Sequence, residues 1–124
     1  MGEPLVLVVD DEPNILETLS FVLEMEGFRV ATAEDGEQAL ARVAALHPPV
    51  VVLDAMMPRR DGFDVCRTIK ADPGLAGVHV VMLTAMGQKA DRERALAAGA
   101  DHFMTKPFDE EELLALLRRL TGQG

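Results

Sequence analysis

The sequence predicts an α/β fold in which helices cover both faces of a parallel, doubly wound β-sheet. Five short apolar segments alternate with five segments of helical periodicity, and the connections between them are short. All five aromatic residues are Phe, so Val, Leu, Ile, Ala and Met must build most of the core. An aliphatic core of this kind is typical of a parallel sheet that is buried on both faces.

The predicted strands are short and lie between turn residues or charges. The segment Val50-Val51-Val52-Leu53 has no polar alternation, which indicates a central strand covered on both faces. The five predicted strands are Leu5–Val9, Arg29–Ala33, 50–53, 78–83 and His102–Thr105. Periodicity leaves the order of these strands open, between a flavodoxin-like order and half of a Rossmann fold.

The predicted helices begin and end near Pro, Gly or acidic residues. Pro13 suits the first turn of the first helix, and Gly27 follows its end. We expect Asp109 to cap the last helix, with the acidic residues behind it near the positive end of the helix dipole. The five predicted helices are 14–26, Gly36–Leu46, Gly62–Ala71, 88–98 and 109–120.

The composition favours one cytoplasmic domain. The chain has 124 residues, of which 48% are hydrophobic, so we expect a single domain over residues 1–124 with a substantial core. The net charge of −9 disfavours direct binding to nucleic acid or to an anionic membrane surface. We expect neither a membrane span nor a signal peptide. Cys66 has no second cysteine to pair with, and we expect it to be buried and unreactive.

Polar or charged residues follow four of the predicted strands at their carboxyl ends. The first strand is followed by Asp10-Asp11, the third by Asp54, the fourth by Thr84 and the fifth by Lys106. Doubly wound sheets bind their ligands at this edge. Clustered carboxylates favour a cation such as Mg²⁺, while a hydroxyl and an ammonium suit an anionic group beside it. The set therefore predicts a site for a phosphoryl group.

Each of these residues also has an ordinary structural interpretation. An Asp at the end of a strand often caps the next helix, and Lys106 before Pro107 is compatible with a solvated loop charge. The joint occurrence of complementary residues at four strand ends favours a functional site over these separate interpretations.

These segments resemble the receiver domains of bacterial two-component response regulators. They are Val8-Val9-Asp10-Asp11-Glu12-Pro13, Leu53-Asp54-Ala55-Met56-Met57-Pro58 with Asp61-Gly62, Met82-Leu83-Thr84-Ala85, Gly99-Ala100-Asp101 and Thr105-Lys106-Pro107-Phe108. The resemblance covers nearly the whole chain in the family's order and spacing. It implies a CheY-like, flavodoxin-like sheet with strand order 2-1-3-4-5 and five helices.

The resemblance implies a chemical role for each acidic residue of the site. Asp54 would accept a phosphoryl group from a histidine of a sensor kinase or phosphotransfer protein. Asp11 and Asp54 would bind Mg²⁺ through their side chains. Met56 would bind it through its main-chain carbonyl and Asp10 through water.

The resemblance further implies how the site would act as a switch. Thr84 and Lys106 would hold the phosphoryl oxygens, and the Lys106–Pro107 peptide bond would be cis. On phosphorylation, Thr84 would move towards the phosphoryl group and Phe103 would swing inward. The fourth helix, fifth strand and fifth helix would form the output face for a downstream domain or target protein. A static core ring is the alternative interpretation of Phe103.

Two methionines occupy positions that tune hydrolysis of the phosphoryl group in this family. Met56 and Met86 follow Asp54 and Thr84, respectively, by two residues. Neither thioether can orient a water by hydrogen bonding, which predicts slow loss of the phosphoryl group. Simple packing is the alternative.

Other functions fit the sequence less well. Haloacid-dehalogenase phosphatases place their nucleophile after the first strand, in a pair of aspartates one residue apart, whereas Asp10 and Asp11 are adjacent. Neither a P-loop nor a G-x-G-x-x-G turn follows the first strand, which disfavours nucleotide binding. A phosphorylation-independent docking module is the alternative function, although the presence of Asp54 and Lys106 favours the switch. Such a switch would catalyse only its own phosphorylation and dephosphorylation.

Overall fold

The chain alternates strands and helices along its whole described length. The computed structural model describes residues 3–57, 61–84 and 89–122. The strands are β1 (Leu5–Val9), β2 (Arg29–Ala33), β3 (Val50–Asp54), β4 (His79–Thr84) and β5 (His102–Thr105). The helices are α1 (Pro13–Met25), α2 (Gly36–Leu46), α3 (Gly62–Ala71), α4 (Lys89–Ala97) and α5 (Glu110–Leu120). The predicted α/β fold is confirmed.

The five strands form one parallel sheet in the order β2-β1-β3-β4-β5. This is the order that the family resemblance implied and that periodicity left open. β3 lies in the middle, and all of its residues are buried, as the unbroken apolar segment predicted. The carboxyl ends of β1, β3 and β4 are therefore neighbours.

The helices form two layers, one on each face of the sheet. α1 and α5 pack on one face, and α2, α3 and α4 pack on the other. Successive residues of β3 alternate between the two layers. Val50 and Val52 contact the first layer, and Val51 and Leu53 contact the second. Because both layers are apolar, the residues from Val50 to Leu53 are all apolar.

The element boundaries differ from prediction by a residue at several ends. β4 begins after Val78 because the N–H of Val78 donates to the carbonyl of Leu75 in the preceding turn, at 3.0 Å. The predicted start of the fourth helix at residue 88 lies outside the described residues. Asp109 caps α5 as predicted, and its carboxylate accepts the N–H of Glu111 at 2.9 Å.

Two further sequence predictions are confirmed. The Lys106–Pro107 bond is cis. Cys66 is buried in α3 and its sulfur lies 3.4 Å from the carbonyl oxygen of Ala98. Burial raises the pKa of its thiol to about 11. Among the described residues, no helix has the length and apolar character needed to cross a membrane.

Candidate functional site

Three polar side chains are buried at the carboxyl edge of the sheet. Asp10 directly follows β1, and Asp54 and Thr84 end β3 and β4. Asp10 is 1% exposed, Asp54 5% and Thr84 2%, and no other polar or charged residue is buried in the described part of the chain. An interior that excludes polar groups everywhere else but gathers three of them at one edge indicates a site.

The two buried aspartates do not cap helices. The N-cap of α1 is Glu12, and the N-cap of α3 is Asp61. The carboxylate of Asp10 instead accepts the N–H of Glu12 at 2.9 Å, and that of Asp54 accepts the N–H of Met56 at 3.3 Å. Each aspartate therefore shapes the loop that follows its own strand.

Asp11 joins Asp10 and Asp54 in a cluster of carboxylates. Each residue offers one oxygen atom, and the three atoms lie within 4.8 Å of one another. Asp11 is exposed whereas the other two are buried, so the cluster is accessible from the side of Asp11. Carboxylate oxygens are the ligands that Mg²⁺ prefers, and a cation would relieve their mutual repulsion. The donor set therefore fits Mg²⁺.

Lys106 is the cation that the structure places in this cluster. Its Nζ lies 2.9 Å from Oδ2 of Asp10 and 3.5 Å from Oδ1 of Asp54, and its side chain is 17% exposed. Burial favours a lower pKa for Lys106, but the hydrogen bond to Asp10 and the charge of Asp54 outweigh it and raise the pKa. Lys106 is therefore a partly buried, charged group and not a solvated loop charge. Among the described residues, this one ammonium faces three carboxylates, and the excess of negative charge suits a divalent cation.

Asp54 is less acidic than an ordinary aspartate. Burial and the negative charge of Asp10 raise its pKa from 3.8 to about 6, while Lys106 and the N–H of Met56 act in the opposite direction. The ionised form of Asp54 is thus costly in the folded protein. A bound cation would favour that form.

Gly62 contacts the site, although the sequence placed it only at the start of the third helix and in a segment that resembles receiver domains. A Cβ atom there would lie 2.2 Å from the carbonyl oxygen of Asp54 and 2.8 Å from Cα of Ala55. The N–H of Gly62 donates to the carbonyl of Ala55 at 2.9 Å. The amino-terminal end of α3 therefore lies directly against the backbone of Asp54, where only Gly fits. The pair Asp61-Gly62 was a signal for this contact, but its steric reason is not visible in the sequence.

Comparison with known proteins decides the family. A family model described as a response regulator receiver domain matches residues 6–118. The chain belongs to this family. Receiver domains are signalling components of two-component systems, and the carboxylate cluster with its lysine is the receiver's candidate site.

Similar proteins support the assignment. The receiver is 44% identical over 117 residues to the DNA-binding dual master transcriptional regulator RpaA of Synechocystis, covering 94% of this chain and 48% of that protein. It is 47% identical over 113 residues to the DNA-binding response regulator MtrA of Mycolicibacterium smegmatis, covering 91% and 48%. The chain thus spans about half the length of these relatives. The chemotaxis protein CheY4 of Vibrio cholerae has a similar structure, with a TM-score of 0.89, 31% identity and coverage of 96% of this chain and 99% of that chain.

The receiver's predicted switch residues lie on adjacent strands. Thr84 ends β4, and Phe103 lies on β5 opposite Met82. The ring of Phe103 is half-buried and packs against the layer formed by α2, α3 and α4. The side chain of Met56, two residues after Asp54, is exposed. Met86 lies outside the described residues.

Proposed function

We propose that this receiver is a phosphorylation-activated switch of a two-component phosphorelay, with Asp54 as the phosphoacceptor. The observation that carries the proposal is the position of Asp54, which is buried at a strand end beside Asp10 and within 3.5 Å of Lys106. A carboxylate in such surroundings is a candidate nucleophile whose reactivity depends on nearby positive charge.

The proposed reaction transfers a phosphoryl group from a donor histidine. A carboxylate oxygen of Asp54 attacks phosphorus, the new O–P bond forms as the P–N bond to the imidazole breaks, and the imidazole keeps the electron pair and takes up a proton. Lys106 neutralises charge on the phosphoryl oxygens and Thr84 donates a hydrogen bond to one of them. Thr84 ends the strand next to that of Asp54, and Lys106 follows the strand after it, with its Nζ 3.5 Å from Oδ1 of Asp54.

Mg²⁺ is the proposed cofactor. Asp11 and Asp54 would hold it through their side chains, Met56 through its carbonyl and Asp10 through water. When bound, the ion would neutralise charge on the carboxylates and on the phosphoryl group. Lys106, which contacts both Asp10 and Asp54, would then be available to the incoming anion.

The proposed output is a change in the face formed by α4, β5 and α5. Phosphorylation adds a nearly dianionic group beside the end of β4. Thr84 would move towards it, and Phe103 would follow inward. The downstream partner would be an output domain or a target protein, and the net charge of −9 favours no direct contact of this domain with nucleic acid. We place the whole chain, residues 1–124, in this one cytoplasmic receiver.

A phosphorylation assay tests the proposal. The protein is incubated with acetyl phosphate and Mg²⁺, and the adduct is detected by intact mass and located by peptide mapping. We expect an adduct on Asp54 that requires Mg²⁺ and is lost in Asp54→Asn. Asp72→Asn is the matched control, because Asp72 lies at the opposite end of α3 and its amide can still accept the N–H of Gly74.

Two outcomes contradict the proposal. The first is the absence of an adduct in Mg²⁺, which would favour the phosphorylation-independent docking module. The second is an adduct that persists in Asp54→Asn at the wild-type level, which would place the acceptor elsewhere.

A further inference from the structure

The strand that leads to Lys106 depends on few contacts. β5 has four residues and lies at an edge of the sheet, where β4 is its only neighbour among the described strands. At its carboxyl end, the N–H of Lys106 donates to the carbonyl of Thr84 at 2.6 Å. β5 makes only four residue pairs with β4, so contacts at its two ends add to what holds it in place. The contacts at its amino end therefore help to hold it against β4.

Asp101 holds the amino end of β5 against β4. Its N–H donates to the carbonyl of Val80 at 3.0 Å, and its Oδ2 accepts the N–H of Val80 at 2.7 Å. Asp101 thus forms hydrogen bonds with both the N–H and the carbonyl of Val80, one through its backbone and one through its side chain. This double contact fixes the register at which β5 begins.

Lys70 in turn holds the side chain of Asp101. Its Nζ lies 3.0 Å from Oδ2 of Asp101 and 3.1 Å from the carbonyl oxygen of Val78, just before β4. The stem of Lys70 passes beneath Gly99, where a Cβ atom would lie 3.1 Å from its Cγ. Both charged side chains are less than one-third exposed, which makes the pair stronger than an ordinary surface ion pair.

The helix that carries Lys70 also touches the phosphoacceptor. α3 begins at Gly62, which lies against the carbonyl of Asp54, and it carries Lys70 one residue before its end. The same helix therefore contacts the backbone of Asp54 at its head and the start of β5 near its end. α3 therefore connects Asp54 to the strand that precedes Lys106.

We propose that Asp101, held by Lys70, is a positioning residue for phosphorylation of Asp54, because it fixes the register of β5 and so the place of the Lys106 ammonium. The proposal rests on the proposed function. Lys106 must lie within reach of both Asp10 and Asp54, at 2.9 and 3.5 Å. If the start of β5 is loosened, we expect the ammonium of Lys106 to be held less precisely, and misplacement on the scale of an ångström is costly in catalysis.

The test compares two single-residue variants with the wild-type chain. Asp101→Asn keeps an oxygen that can accept the N–H of Val80 but loses the charge that Lys70 binds. Lys70→Met keeps the stem beneath Gly99 and removes the ammonium. In both, we expect the rate constant for phosphorylation by acetyl phosphate at saturating Mg²⁺ to fall by about 3- to 10-fold, without weaker Mg²⁺ binding. Arg67→Met is the control, because it breaks an exposed ion pair with Asp64 on the same helix.

A second measurement separates positioning from general destabilisation. Asp101→Asn is combined with Lys106→Met, and the phosphorylation rate and the melting temperature are measured for all four proteins of the cycle. If Asp101 acts through Lys106, its substitution no longer lowers the rate when Lys106 is absent, while its effect on the melting temperature remains. An equal rate loss in both backgrounds would overturn the proposal.

Failure of this inference differs from failure of the proposed function. If wild type is phosphorylated on Asp54 and the two single variants react at the wild-type rate, the positioning role is refuted and the switch stands. If wild type gives no adduct on Asp54, the switch and the positioning role both fall.

Discussion

Removing the charge of Asp54 should stabilise the metal-free protein. The folded state raises the pKa of Asp54 from 3.8 to about 6, so ionising it is costlier in the folded chain than in the unfolded one. At about 1.4 kcal/mol for each pKa unit, the cost at neutral pH is about 3 kcal/mol. This figure already includes the attraction of Lys106. Asp54→Asn should therefore raise the free energy of unfolding by up to about 3 kcal/mol at pH 7 without metal.

The pH dependence of this gain has a definite sign. Below pH 3.8 the carboxyl group is protonated in both states and the cost is absent. Above pH 6 it is ionised in both states and the cost is complete. Stability from this group is therefore lost as pH rises through this window, because the folded state binds the proton more tightly. The advantage of Asp54→Asn should be about 1 kcal/mol at pH 4.5 and about 3 kcal/mol at pH 7.

Urea unfolding followed by circular dichroism measures this difference. Wild type, Asp54→Asn and the control Asp72→Asn are unfolded in EDTA at both pH values, and again in excess Mg²⁺. Mg²⁺ should narrow the gap, because wild type gains the free energy of metal binding while the variant has lost a carboxylate ligand. An Asp54→Asn variant that is no more stable than wild type at pH 7 in EDTA would refute the electrostatic reasoning.

Three other predictions concern single residues. Gly62→Ala should lower the free energy of unfolding by about 2 kcal/mol and slow phosphorylation, because its Cβ would overlap the carbonyl of Asp54. An unchanged urea midpoint and an unchanged phosphorylation rate would contradict the steric argument. Replacing Met56 by Asn or Met86 by Glu should alter the lifetime of the phosphoryl group, measured by decay of the intact-mass adduct, and unchanged lifetimes in both variants would leave packing as their role. The thiol of Cys66 should react with a disulfide reagent at pH 8 only as fast as local unfolding exposes it, because it is buried and its pKa is about 11. Rapid labelling of the native protein would contradict its burial.

Much of the fold could be predicted because the relevant signals are local. Each strand is a short apolar segment and each helix a periodic one, so both are readable within a window of the chain. The predicted boundaries at β2, α2 and α3 agree with the structure. At β4 the prediction was one residue early, because a hydrogen bond from Val78 to the preceding turn ends the loop later than hydropathy indicates.

The candidate residues of the site were also accessible to sequence reasoning. In a parallel doubly wound sheet, residues that follow strands share one edge, so the sequence alone groups Asp10, Asp54, Thr84 and Lys106. Sequence could not tell that Asp54 is buried while Asp11 is exposed. That difference depends on the layers above the sheet, and it is what raises the pKa of Asp54.

Sequence was thus enough for the fold class, the elements and the chemical character of one edge, since each follows from the residues within a short segment. Periodicity left the strand order open, and only the family resemblance implied it. The ion pair between Lys106 and Asp10, the steric demand at Gly62 and the pairing of Lys70 with Asp101 needed the tertiary structure. Each of these joins residues that are distant in the chain. Such contacts depend on how the whole chain packs, and no local pattern of hydropathy or charge encodes them.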